Sequence, residues 1–287
     1  MFGFLNVYKP KGLTSFDVIR LLRKVLNIKQ IGHTGTLDPL AEGVLPICIG
    51  KSTKLIDYLK EDKGYIADLQ FGFISDTYDT EGDVQKVSDN KITKFELIEI
   101  LKTFQGEIEQ TPPIYSAIKI KGKKLYEYAR EGKGEIVEIP KRKVFISKIE
   151  LLDFDEENQT AKVEVECSKG TYIRSIVHDL GVKSNLGAVM TKLIRTKSGR
   201  FNLSFAVNLD EFTSKEVVEK NLINPLDILD YPKVELNEED CYKVITGQKI
   251  SARNYKNGEI LLLIKDDKFI SIAKVEEAKI KVIKVFA

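Results

Sequence analysis

The stretch KVEVECSKGTYIRSIVHDLG, residues 162–181, changes its hydrophobic period halfway along. Val163, Val165 and Cys167 alternate with polar residues, the period of a half-buried strand. From Tyr172 onward, Ile173, Ile176, Val177 and Leu180 fall on one face of a helix. The change occurs across Ser168-Lys169-Gly170, a turn-forming cluster, so the segment reads as strand, tight turn and helix. Tyr172 and Arg174 then stand at a helix N-terminus, a natural place for anions because its first amides lack intrahelical partners. Arg174 is either a surface residue of the first turn or the partner of a carboxylate, which it would keep ionised.

Working outward, the same mixture recurs. Residues 15–27 carry Val18, Ile19, Leu22, Val25 and Leu26 at helical spacing behind Ser15, read as an N-cap. Thr93, with Glu96 three residues later, predicts a capping box ahead of Leu97, Ile98, Leu101 and Phe104. Strands are expected at 65–71 and 143–152. Helices and strands alternate without a regular βαβ repeat, which predicts an α+β domain. After LDILDYP, residues 226–232, the chain changes character. Short strands at 259–264 and 268–273 and the alternating KIKVIKVF at 279–286 are divided by Asn257-Gly258 and Asp266-Asp267. We expect two units, 1–230 and 231–287, the second a small β-barrel or sandwich.

The 287 residues are 43% hydrophobic and 31% charged, which is ordinary globular composition with enough apolar side chain for a core. The opening MFGFLNVYKPKG lacks a basic leader, and no apolar run approaches the ~18 residues of a membrane helix. A cytoplasmic protein without membrane contact is expected. Cys48, Cys167 and Cys241 are far apart, and His33 and His178 are the two histidines, so neither a disulfide framework nor a metal centre is expected. The net charge is +2, but residues 1–60 and residues 117–143 each hold nine Lys/Arg against four Asp/Glu, while 76–100 is acidic. Two basic surpluses of that size suit a polyanion, although a charge run alone is ordinarily a solvated face.

A second stretch, GHTGTLDPLAEGVLP at 32–46, surrounds one histidine and one aspartate with glycines and prolines. It reads as a shaped loop, neither helix nor strand, with Asp38 fixed between Leu37 and Pro39. A lone Asp-Pro ordinarily means an Asx turn, in which the carboxylate bonds only its own backbone. Gly50-Lys51-Ser52 is not a phosphate loop, since the spacing demands glycine where Leu45 stands. GKGE at 132–135 reads as a turn in a charged segment.

Five separated segments then point the same way: NVYKPKGLTSFDVI, GHTGTLDPLAEGVLPICIGKSTKL, GYIADLQFGFISDTYDTEGDV, PPIYSAIKIKGKKLYEYAREG and CSKGTYIRSIVHDLG. In that order they resemble the bacterial tRNA pseudouridine-55 synthases, the TruB-type family, over residues 3–230. The segment from Lys233 resembles, more weakly, the PUA RNA-binding domain of that family. The resemblance implies a pseudouridine-synthase fold, a mixed and largely antiparallel sheet flanked by helices. It also implies the T stem-loop of tRNA as partner, and chemistry without cofactor or metal. A monomer is expected, since nothing in the sequence advertises a subunit interface. A dyskerin-type relative directed by a guide RNA, and a noncatalytic tRNA-binding or RNA-folding protein, are the alternatives.

The resemblance also implies roles. Asp38 matches the catalytic aspartate and Arg174 the arginine that pairs with it. Tyr65 matches the tyrosine against the target base, where its ring stacks and its phenol relays the C5 proton; otherwise it is a core aromatic of a strand. Tyr172 shapes the pocket, and Leu193 matches an apolar pocket residue whose other reading is core packing. His33 matches the histidine against the opened RNA loop, a wedge for extruding a base, or else is a hydrogen-bonded turn residue. His178 is read as structural. Lys9, Pro10, Lys121, Lys123 and Lys124 are expected to meet the RNA backbone. Glu42 departs from the family, which has a small or uncharged residue there, and is expected to face solvent.

Overall fold

The computed structural model describes residues 1–132, 138–252 and 254–286. The chain opens with β1 (Gly3–Lys9), α1 (Ser15–Leu26), β2 (Ile31–His33), β3 (Glu42–Ile49) and, after a 3-10 segment, β4 (Lys63–Phe71). These strands join a ten-stranded sheet. Its order is Val207–Asn208, β1, β3, Ala188–Ser198, β4, Thr160–Cys167, Arg142–Asp155, Gly106–Gln110, with β2 beside β3 and Phe201–Asn202 beside Ala188–Ser198. Two ladders are parallel, β1 with Val207–Asn208 and β3 with Ala188–Ser198, and the rest are antiparallel. This is the mixed, largely antiparallel α+β architecture expected.

The helices follow their signals with one displacement. α1 is capped by Thr14, whose hydroxyl accepts from the Asp17 amide while the Asp17 carboxylate accepts from the Thr14 amide. A capping box needs the acid three residues after the cap, and Asp17 supplies it for Thr14; Ser15 therefore lies one residue inside and is buried. α2 (Lys94–Lys102) starts behind Thr93 with Glu96, as expected. α3 (Leu125–Arg130) is short. α4 (Ile173–Lys183) directly follows the strand Thr160–Cys167, and its buried Ile173, Ile176, Val177 and Leu180 join one core with Leu97, Leu101, Val163 and Val165. The turn expected at 132–135 lies, beyond Gly132, outside the described residues.

The 32–46 segment is a loop only in its middle. Glycine and proline at Gly43 and Pro46 suggest loop, yet both sit in β3. Gly43 has φ +103, and a Cβ there would lie 2.4 Å from the Arg195 carbonyl oxygen, so the neighbouring strand approaches as only glycine allows. Pro46 pairs with Asn6 on one side, and its carbonyl accepts from Thr34 on the other at 3.2 Å. A strand residue points N and C=O the same way, so the missing N–H faces Thr34, one residue past the β2 ladder, which ends at His33 opposite Ile47; the proline therefore sits where that pairing stops.

Beyond residue 230 the strands Lys233–Glu235, Ile250–Ser251, Ile260–Lys265, Lys268–Glu276 and Lys279–Val285 form one curled five-stranded sheet against the helix Glu238–Ile245. It has its own core around Leu236, Val244, Leu261 and Leu263. A second cluster joins it to the large sheet: Phe4, Val44, Cys48 and Leu55 pack with Leu262, Phe269, Ile272 and Phe286. The Phe2 ring stacks on Phe269 and Phe286 at 6.2 and 5.3 Å. All three cysteines are free and buried. Among the described residues no helix is long and apolar enough to cross a membrane.

Candidate active site

A cavity of about 730 Å³ opens between the loop after β2, the start of α4 and the facing strands. It is lined by Asp38, Tyr65, Tyr172, Arg174 and Leu193, five of the residues singled out in the sequence. The Arg174 guanidinium donates to the Asp38 carboxylate at 2.7 Å. The Asx-turn reading therefore gives way to an ion pair, made between residues 136 positions apart by the turn that starts α4. The second Asp38 oxygen has no partner among the described residues, and the side chain is 39% exposed, open to the cavity.

Arg174 is held on several sides. Its side chain is 7% exposed, and the guanidinium also donates to the carbonyls of Thr77 at 3.1 Å and Tyr115 at 3.0 Å. Its other nitrogen lies 3.5 Å from Asp79, which is itself almost fully buried. Asp79 in turn accepts from the Thr77 hydroxyl at 2.6 Å and the Glu81 amide at 2.9 Å. The planar fork thus meets two carboxylates and two carbonyls from fixed directions, which an ammonium does not do. The start of α4 is clamped by buried Gln110, whose side-chain amide donates to the Tyr172 carbonyl and whose oxygen accepts from the Tyr172 amide. Arg142 covers the Tyr172 ring at 5.4 Å.

Tyr65 and Leu193 are both core and cavity, 8% and 6% exposed, so their two readings are not exclusive. Burial pushes the Tyr65 phenol above its ordinary value, against the pull of the neighbouring Arg195. Arg195 was not legible as a site residue. It is 1% exposed, and donates to the carbonyls of Val44 at 2.6 Å, Gly35 at 3.1 Å and Thr36 at 3.3 Å. It stands two residues after Leu193 on one strand face, a period-2 signal that fails to distinguish an inward arginine from a surface one.

The aspartate loop is therefore tied from one side by Arg195. From the other, the buried Ser15 hydroxyl accepts from the Leu37 amide at 2.8 Å and donates to the Leu37 carbonyl at 3.1 Å, and the Gly12 amide donates to Pro39. Ser15, expected to cap a helix, instead braces the residue before Asp38. Ser15→Ala removes both bonds without adding bulk. The expected result is a loss of about 1–3 kcal/mol in chemical denaturation and a fall in turnover of about tenfold; an unchanged turnover would show the loop to be held without it.

Other expectations are met unevenly. Lys9 is fully buried, and its ammonium donates to the carbonyls of Pro10 at 2.9 Å and Leu13 at 2.7 Å. Burial pushes it down to about 8, with Asp38 and Glu42 pulling it up. Its ammonium is spent on these two carbonyls, which makes it a brace beneath the site; Pro10, half-buried, keeps some surface. His33 ends β2 and its Nδ1 accepts from the Gly35 amide at 3.3 Å, while its neighbours Thr34 and Gly35 line the cavity. Burial lowers the His33 imidazole below its ordinary value. Glu42 does not face solvent: it is half-buried, outside the cavity lining, and pairs with Lys192 at 3.1 Å. His178 lies against the Tyr78 ring, centroids 4.0 Å apart. Lys121 is exposed at its hairpin; Lys123 pairs with Glu131 and covers Tyr128, and Lys124 donates to the Tyr126 hydroxyl at 3.0 Å.

Comparison with known proteins agrees with this arrangement. Residues 23–173 match the TruB family pseudouridylate synthase (N terminal domain), and residues 174–229 the tRNA pseudouridylate synthase B C-terminal domain. The chain is 42% identical to tRNA pseudouridine synthase B of Clostridium tetani and 43% identical to that of Clostridium acetobutylicum, each covering 99% of both chains. Among solved structures, one of a Cbf5-Nop10-Gar1 complex superimposes with a TM-score of 0.73 at 26% identity, over 100% of this chain and 85% of that one. With the cavity geometry, these findings place the chain in the TruB family of pseudouridylate synthases.

Proposed function

We propose that the protein converts uridine to pseudouridine in the T stem-loop of tRNA, at position 55, as a stand-alone cytoplasmic monomer. The observation that carries this reading is the 2.7 Å pair of Arg174 with Asp38, at a cavity walled by Tyr65 and Leu193. Support for the stand-alone form over a guide-directed one comes from identity of 42–43% to tRNA pseudouridine synthase B sequences, against 26% to the Cbf5 complex chain.

Residues 1–230 form the catalytic unit in this reading and residues 231–287 a PUA-like unit for RNA. A uridine stacked in folded RNA does not expose its glycosidic bond, so the base is extruded, at a cost of a few kcal/mol, into the cavity. His33 and the loop after it occupy the vacated place. Tyr65 stacks on the uracil with Leu193 opposite, and Tyr172 closes the pocket.

Arg174 fixes one oxygen of Asp38 and leaves the other for the sugar. That oxygen either attacks C1′ as N1 departs with the bonding electrons, or removes the C2′ proton to give a glycal. The freed uracil turns and C5 bonds to C1′, expelling the Asp38 oxygen in the first route or with return of the C2′ proton from Asp38 in the second; C5 then loses a proton and N1 gains one, so that no atom is gained or lost. The Tyr65 hydroxyl, beside the Arg195 cation, relays that proton.

The test is tritium release from an unmodified tRNA transcript labelled at C5 of uridine, with a T-loop uridine-to-cytidine transcript as control. Release lost in the control supports the reading; tight binding without release overturns it in favour of a binding or guide-dependent protein. Neutralising Lys121, Lys123 and Lys124 together is expected to flatten the plot of log affinity against log salt by about 1–3 in slope, with Lys121 the largest share. An unchanged slope removes that segment from the interface.

A further inference from the structure

Lys63 and Tyr65 lie two residues apart on β4 and therefore on one face of the sheet, ~7 Å apart along the strand. Both line the catalytic cavity. Tyr65 stands at the Asp38 end with Arg195, whereas Lys63 stands where the cavity meets a second, smaller one of about 60 Å³. Thr34 and Lys169 line both spaces as well, and Arg200 lines the smaller one.

Lys63 is 92% buried by its 8% exposure, and its ammonium has one partner among the described residues, the Ser198 hydroxyl at 2.7 Å. The two carboxylates nearest in sequence are already engaged, Glu61 with Lys169 and Asp62 with Lys197 at 2.8 Å. At the same seam the Thr34 hydroxyl is buried with no hydrogen-bond partner. A buried ammonium without a counter-ion and a buried hydroxyl without an acceptor are both costly, and both are relieved by the same kind of group, an anionic oxygen.

We infer that Lys63 and Thr34 form a subsite for one backbone phosphate adjoining the extruded uridine. The inference rests on RNA being the substrate. Its geometry follows from a nucleotide's own dimensions: with the base against Tyr65 and C1′ at Asp38, a sugar's width separates the reacting carbon from the neighbouring phosphate. The ammonium and hydroxyl offer donors to its non-bridging oxygens; on the rim Lys169 and Arg200 are already paired, with Glu61 and with Asp230 at 2.6 Å, so Lys63 supplies the unpaired charge. The subsite seats the sugar and leaves the chemistry to Asp38.

Burial, and then the neighbouring Arg195, push Lys63 down to about 8, while Asp62, Glu61 and Cys167 pull it up. The contact is thus stronger at pH 7 than at pH 9 and weakens as the pH rises through that value and the free ammonium loses its proton.

The experiment uses the full-length protein, full-length unmodified tRNA, and a synthetic T-arm stem-loop in which the linkage on either side of the target uridine is replaced, one at a time, by a neutral methylphosphonate. Lys63→Met is expected to weaken tRNA binding about tenfold, to reduce the salt slope by about one, and to leave kcat within about threefold. Wild type loses about tenfold in affinity for one of the two methylphosphonate RNAs, and Lys63→Met does not distinguish that RNA from the all-phosphate one. Lys63→Arg restores affinity and removes its decline between pH 7 and 9, which also shows that the fold tolerates the site. Equal sensitivity of wild type and Lys63→Met to both neutral linkages, or a fall in kcat with unchanged binding, overturns the subsite. Failure of wild type to convert the all-phosphate stem-loop would instead overturn the functional reading on which it rests.

Discussion

Asp38→Asn is expected to reduce tritium release by on the order of 10⁴ or more, with tRNA affinity and folding almost unchanged. The amide has the shape of the carboxylate and still accepts a hydrogen bond from Arg174, but it neither attacks C1′ nor removes the C2′ proton. The guanidinium is not stranded, because Asp79 lies 3.5 Å from its other nitrogen and the carbonyls of Thr77 and Tyr115 remain. The loop keeps its ties to Ser15 and Arg195. Binding and chemistry thus separate in this variant. Residual release above about one hundredth of wild type would remove Asp38 from the bond-breaking step, and a parallel loss of tRNA affinity would make its role one of binding.

Arg174→Lys should be nearly as damaging, and in stability as well as rate. Charge is conserved, but one ammonium does not span Asp38 at 2.7 Å, Asp79 at 3.5 Å and two carbonyls at about 3 Å on opposite sides. Whichever carboxylate it keeps, the other loses its partner; for Asp79, 1% exposed, that leaves a buried charge uncompensated. Removing one member of a buried pair costs about 3–5 kcal/mol, and retention of charge places the expected loss at the lower end, about 3 kcal/mol in denaturant unfolding. Turnover should fall by about 10²–10³, since the aspartate loses its fixed direction. Wild-type stability together with wild-type turnover would refute the network.

The fold was legible where a period or a cap is a local property. The switch at 167–172, the Thr93 and Glu96 box, and the alternating strands after residue 259 each follow from neighbours in sequence. Ser15 misled because two hydroxyl residues precede α1, and the choice between them is made by Asp17. Pro46 and Gly43 misled because their tolerance in a strand depends on what lies beside it, the end of the β2 ladder in one case and the Arg195 backbone in the other. In the site, the quoted segments identified Asp38, Tyr65 and Arg174 as a set, yet not the supports. Asp79 stood in a segment that reads as solvated acid, and Arg195 and Lys63 are charged residues on strands, normally outward-facing. Their burial is created by contacts across more than a hundred residues. Lys9 shows the converse, a basic residue in a basic segment that folds beneath the site.

The aromatic contact of Phe2 with Phe269 and Phe286 bears on how the chain is made. β1 is translated some two hundred residues before its parallel partner Val207–Asn208, and the rings beside Phe2 follow it by more than 260 residues. Until then the β3 ladder, α1 and the 3-10 segment after β3 are what can shelter Phe4, Leu5 and Val7. Contacts so distant in sequence close slowly and leave apolar surface open in the meantime. The nascent chain therefore carries β1 unfinished throughout that interval, and this edge of the sheet closes only once Val207–Asn208 and the later rings have been made.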